Sequence, residues 1–126
     1  MVSLHSPASH QGVIKGILLH QGCSNTGDQQ WPAKVNKIYN DLLNDLHLNA
    51  ADVPLIAGEL LSKEFNGACA SMNDIIQTLP KTIKNCRVVS SQGCPGAMDR
   101  LHFTAEGYRM IGKRYAEEML KAMKKK

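Results

Sequence analysis

Two hydrophobic periodicities alternate along this chain. The run Val13-Ile14-Lys15-Gly16-Ile17-Leu18-Leu19-His20 is almost continuously apolar, the pattern of a strand buried inside a parallel sheet. Gln21 to Gln30 is polar, holds Gly22, Asn25, Gly27 and Asp28, and reads as the loop at that strand's carboxyl end. From Trp31 the period changes: Val35, Ile38, Tyr39, Leu42, Leu43 and Leu46 form one helical stripe, and Pro32 suits a first turn. Val53 to Leu61 predicts a second strand and Ser62 to Ser71 a loop. Met72, Ile75, Ile76 and Leu79 predict a shorter helix broken near Pro80. Arg87 to Ser91 reads as a third strand and Gln92 to Phe103 as a loop. Thr104 is the expected N-cap of a last helix whose apolar face is Tyr108, Ile111, Tyr115, Met119 and Leu120.

Strands alternating with helices imply an α/β fold with a parallel sheet and right-handed crossovers. Residues 1–12 show no periodicity and read as a leader or loop, and residues 13–126 as one unit without repeats or linkers. Three strands are few for a parallel sheet, which is usually covered on both faces. The expectation is an incomplete sheet, part of a larger domain, with one edge open to a second copy or a further segment.

Composition narrows the function classes. The 126 residues are 43% hydrophobic and 21% charged, a globular balance and not that of a disordered chain. Four lysines among the last six residues (Lys121, Lys124, Lys125 and Lys126) account for the whole net charge of +4. The body is neutral, and cations there suit the negative pole of a helix end. With no basic face interleaved with aromatics, no nucleic-acid partner is expected. No stretch is apolar enough for a membrane span, so no membrane partner is expected. Met1 to Gln11 has neither the basic nor the apolar region of an export signal.

The cysteines Cys23, Cys69, Cys86 and Cys94 contain no pair closer than eight positions, unlike a zinc ribbon. Two disulfides could form, in pairings that sequence leaves open. His5, His10 and His47 have no supporting constellation, and neither metal nor cofactor is expected. Trp31 reads as a packing residue at a helix start. Glu59, at a strand end, either lines a pocket or is solvated.

Open parallel sheets bind ligands at the carboxyl ends of their strands. Two loops there carry the candidate chemistry: His20-Gln21-Gly22-Cys23-Ser24-Asn25 and Asp99-Arg100-Leu101-His102. A D-x-x-H spacing before a helix lets a carboxylate fold back on an imidazole, setting its tautomer and leaving the other nitrogen as a general base. The bland alternative, a surface turn with an ordinary histidine, fits the same spacing.

The segment Gly16 to Asn25, followed by Trp31-Pro32, resembles the third block of the SGNH-hydrolase esterases. More narrowly it is similar to the sialate O-acetylesterase and carbohydrate esterase family 6 (acetylxylan esterase) group, whose motif there is H-Q-G-E. Asp99 to Thr104 resembles that group's last block, and Val53 to Glu59 and Gly107-Tyr108-Arg109 also fit. The resemblance covers the chain from about residue 13 onward. It implies a three-layer α/β/α, flavodoxin-like fold and hydrolysis of acetyl esters of carbohydrates through an acyl-serine. It implies His102 as general base, Asp99 as its orienting acid, and Gln21, Gly22, Cys23 and Asn25 lining the oxyanion hole or substrate pocket. It further implies an acetylated carbohydrate as partner and a secreted or periplasmic parent.

The chain departs from the pattern twice. No strand followed by G-x-S precedes Val13, so the expectation is a C-terminal portion lacking the serine nucleophile. Cys23 stands where the group has Glu. Ser24 lies in the later block and is not the expected nucleophile. The alternatives are a catalytically silent module that associates through its sheet edge, and an acyl hydrolase using the Cys23 thiol.

Overall fold

The computed structural model describes residues 12–124. The first strand, β1, is Ile17–Leu19; β2 is Leu55–Gly58 and β3 is Cys86–Val89. They form one parallel sheet in the order β1-β2-β3, with Ile17 opposite Leu55 and Leu55 opposite Cys86. Helix α1 is Trp31–Asp45, α2 is Met72–Ile76, α3 is Leu79–Thr82 and α4 is Ala105–Lys124. The α/β order expected from sequence is present. The expected second helix is two short ones, because Pro80 starts a new first turn in α3.

Side chains alternate across the sheet, and the helices sort accordingly. Leu55 and Ala57 of β2 and Cys86 of β3 pack with Trp31, Val35, Tyr39 and Leu43 of α1 and with Ile75, Ile76 and Leu79. On the opposite face Ile56 and Val89 pack with Ile111, Tyr115 and Ala122 of α4. The result is three layers, α/β/α. Within α1 the buried stripe is narrower than its apolar positions suggest: Ile38 is 66% exposed and Leu42 38%.

Gly58 shows why one position takes no side chain. A Cβ there would lie 2.2 Å from the Tyr115 hydroxyl oxygen, so only glycine lets the tyrosine cross the sheet. The Tyr115 hydroxyl then donates to the Leu19 carbonyl at 2.5 Å and ties α4 to β1. Thr104 caps α4 as expected, its Oγ1 accepting from the Gly107 amide at 3.1 Å. Lys121 and Lys124 occupy the last turn of α4, at its negative pole.

The first strand differs from its expectation. It spans three residues and is an edge strand, and Leu18 is 61% exposed, with Val13 and Ile14 also exposed. Helix α4 lies over β2 and β3, which leaves the outer face of β1 and the flank of α4 bordering an open apolar cavity of about 650 Å³. Leu18, Met119 and Leu120 line it. The expected leader falls almost wholly outside the described residues, as do His5 and His10. No helix among the described residues is long and apolar enough to cross a membrane.

Candidate functional site

Three loops meet beyond the carboxyl ends of the strands, and each is built differently. The loop after β3 presents Asp99 and His102. Arg100 sits between them in the left-handed region, at φ 64°, and turns the chain sharply. Asp99 Oδ1 accepts from the Leu101 amide at 2.9 Å and the His102 amide at 3.0 Å. Its other oxygen, Oδ2, meets His102 Nδ1 at 2.5 Å. Both side chains remain largely exposed. The hydrogen bond from His102, reinforced by the two amides, holds the Asp99 carboxyl down at about 2, so it is ionised across the working pH range. A carboxylate on Nδ1 makes that nitrogen the protonated one and leaves Nε2 as the basic position, facing solvent. The spacing fitted this pair and an ordinary surface turn alike, and the structure brings the two side chains together.

The loop after β1 holds the other candidate residues. Gly22 has φ 150°, a conformation L side chains avoid, and an added Cβ would stand 3.3 Å from Ile76 Cδ1. It leads into a single 3₁₀ turn, Cys23–Asn25. Gln21 reads both ways: its Nε2 donates to Asn25 Oδ1 at 2.8 Å, and its Oε1 accepts from Trp31 Nε1 at 2.8 Å. Trp31 is only 2% exposed, so this buried ring at the start of α1 orients Gln21, and Gln21 orients Asn25. With Oδ1 engaged, the Asn25 amide nitrogen is turned toward the Asp28 carboxylate.

Cys23 is joined to Cys69 of the loop after β2, with Cα atoms 5.4 Å apart and a separation of 46 residues. In the chain-entropy account, closing such a loop stabilises the fold by roughly 4 kcal/mol. A sulfur in that bond carries no thiolate, so acyl chemistry at Cys23 would require prior reduction. Cys86 and Cys94 are free and buried, and burial pushes the Cys86 thiol up to about 12. Among the described residues no group of three His, Cys, Asp or Glu is placed to hold a metal ion.

Glu59, expected either in a pocket or in solvent, is half-buried and hydrogen-bonded through both carboxylate oxygens. Its Oε1 accepts from the Ser91 amide at 2.8 Å and its Oε2 from Gln77 Nε2 at 2.9 Å, so it staples the end of β2 to the loop after β3. His20 contributes too. Its Nε2 meets the Glu59 carbonyl at 3.0 Å, and its ring lies 5.8 Å from that of Phe103, the neighbour of His102. Sequence reading named His20 only as part of a motif. Its position at a strand end was the signal for a second role.

Among the described residues no hydrogen bond or ion pair joins Asp99 or His102 directly to Gln21, Gly22, Cys23 or Asn25. The link runs through the middle loop. The Ala68 amide donates to the Arg100 carbonyl at 2.9 Å, and Arg100 Nε donates to the Asn66 carbonyl at 2.8 Å. The site is thus an exposed carboxylate–imidazole pair, an oriented amide loop and a disulfide-bonded loop between them. A carboxylate-oriented imidazole of this kind can take a proton from a hydroxyl or water.

Residues 1–121 match the family described as carbohydrate esterase, sialic acid-specific acetylesterase. The chain belongs to that family.

Proposed function

We propose that this carbohydrate esterase removes O-acetyl groups from sugars, of sialate or acetylated-xylan type, with His102 as its general base. The observation that carries the reading is the Asp99–His102 pair, in contact at 2.5 Å through Nδ1 on a histidine side chain that is largely exposed. In the proposed sequence Nε2 takes the proton of a serine hydroxyl as its oxygen attacks the acetyl carbonyl. The imidazolium formed is stabilised by Asp99, which stays ionised. His102 then returns the proton to the departing sugar oxygen, and a water repeats the cycle on the acyl-serine to release acetate. The Asn25 amide and the backbone following Gly22 supply donors for the carbonyl oxygen as it becomes negative.

No serine among the described residues is hydrogen-bonded to the His102 ring, whose partner among those residues is Asp99. A buried serine such as Ser91 is already committed, donating to the Leu60 carbonyl at 2.7 Å.

The test is acetate release from an O-acetylated sugar by the full-length protein. His102→Ala is expected to lower kcat by about 100-fold or more, with folding stability unchanged within about 0.5 kcal/mol because the side chain is exposed. Asp99→Asn should also cut kcat, through the wrong tautomer. Turnover retained in His102→Ala sinks the assignment.

A further inference from the structure

We propose that the Cys23–Cys69 disulfide is a redox-sensitive clamp that positions the Asp99–His102 pair through the middle loop. It rests on the reading of that pair as the catalytic base, and the disulfide itself never touches the reacting atoms.

The path is continuous. Cys23 belongs to the loop that carries Gly22 and Asn25, and its sulfur is bonded to Cys69. One residue before Cys69, the Ala68 amide donates to the Arg100 carbonyl at 2.9 Å. Two residues earlier, the Asn66 carbonyl accepts from Arg100 Nε at 2.8 Å. Arg100 is therefore gripped at both its backbone and its side chain by one short stretch. It is also the residue that holds an unfavourable left-handed conformation, at φ 64°, between Asp99 and the two amides that Asp99 accepts from. Such a conformation persists only where surrounding contacts over-determine it. Some of those contacts lie within the turn, where the Arg100 amide donates to the Ala97 carbonyl, and the others come from the loop that the disulfide anchors.

The bond is also open to exchange. Cys23 and Cys69 are both only half-buried, whereas Cys86 and Cys94 are buried free thiols. A dithiol reductant would donate two electrons and two protons, giving the Cys23 and Cys69 thiols while its own sulfurs pair. The two remaining cysteines are poorly placed to rearrange with them. Reduction would release the middle loop from the first loop, slacken the hold on Arg100 and loosen the carboxylate–imidazole contact.

The test uses the full-length protein with and without dithiothreitol, and the double variant Cys23→Ser, Cys69→Ser. Three signals are read: hydrogen exchange at the Ala68 amide, the downfield Nδ1 proton of His102 by NMR, and kcat and KM for acetyl ester hydrolysis. Reduction is expected to speed Ala68 exchange about ten-fold and to weaken the His102 signal. It should lower kcat about ten-fold with KM within about two-fold, and reoxidation should restore all three. Unchanged Ala68 exchange in the reduced protein overturns the proposal. So does faster exchange with an unchanged His102 signal.

If reduction unfolds the chain, Arg100→Gly decides. Glycine keeps the left-handed turn and leaves the disulfide intact, but removes the guanidinium bond to Asn66. A weakened His102 signal then supports the relay, and an unaltered one refutes it. An absence of esterase activity in the full-length protein counts against the functional reading alone, because the exchange and proton signals still settle the clamp.

Discussion

The two loops that carry the candidate chemistry are held by opposite means. The turn at Asp99–His102 is built from contacts within a few residues: Asp99 with Leu101 and His102, the Arg100 amide with Ala97, and the Ala97 amide with His102. The loop at Gln21–Asn25 is held from a distance, by Trp31, by Cys69, and by Met72 and Ile76 packed against Gly22. The first takes most of its shape from its own short-range bonds, with Arg100 also held from the middle loop, and stays exposed. The other owes its shape to the core beneath it. A reactive base benefits from the first arrangement, since exposure keeps Nε2 reachable. A set of donors aimed at a developing charge benefits from the second, since packing fixes their geometry in advance.

Mutation at the long-range end should break the comparison most strongly. Trp31→Ala removes a ring that is 2% exposed together with the donor that holds Gln21. It should cost about 3–5 kcal/mol of stability by urea unfolding. In the protein that remains folded, the His102 Nδ1 proton should be unaltered. Loss of that proton signal would show that the His102 turn depends on the packing of the first loop and not only on the disulfide and the Arg100 contacts.

A smaller effect is expected at Gly22. Alanine there meets both an unsuitable backbone angle of 150° and the Ile76 methyl at 3.3 Å. The expected loss is about 1–3 kcal/mol, measured by thermal or urea unfolding. Indifference to the change would mean that the loop relaxes freely and is not set by its packing.

The smallest effect belongs to the local turn and is read by pH. The Asp99 carboxyl is lowered from its ordinary 3.8 to about 2 by its bonds to His102 and the two amides. A lowered native value means the unfolded chain binds the proton more readily, so the contribution is complete above about 3.8 and is lost as pH falls through about 2. Because Asp99 is exposed, the change in global stability should be slight, while carboxyl carbon shifts report the titration directly. A midpoint for Asp99 at its ordinary value would show that the pair is not formed in solution.

Much of this was legible before any coordinates. The D-x-x-H spacing carries its own geometry, because three residues are enough to return a carboxylate to an imidazole. The cap at Thr104, the helical stripe of Val35, Tyr39 and Leu43, and the β-α order all follow from local periodicity. The strand limits were less legible. Val53 to Leu61 is apolar but for Glu59, yet only Leu55–Gly58 pairs as strand, because apolar character does not say where hydrogen bonding to neighbours stops.

Sequence by itself determined the alternation of elements and the family to which the motifs point, and its D-x-x-H spacing allowed the carboxylate–imidazole pair without deciding it. Tertiary structure alone decided that Cys23 pairs with Cys69, that Glu59 staples two loops, that Trp31 orients Asn25 through Gln21, and that β1 is an edge with Leu18 open. Each of those depends on which distant residues arrive at the same place. An apolar run reads the same in the middle of a sheet as at its border, and a cysteine carries no mark of its partner.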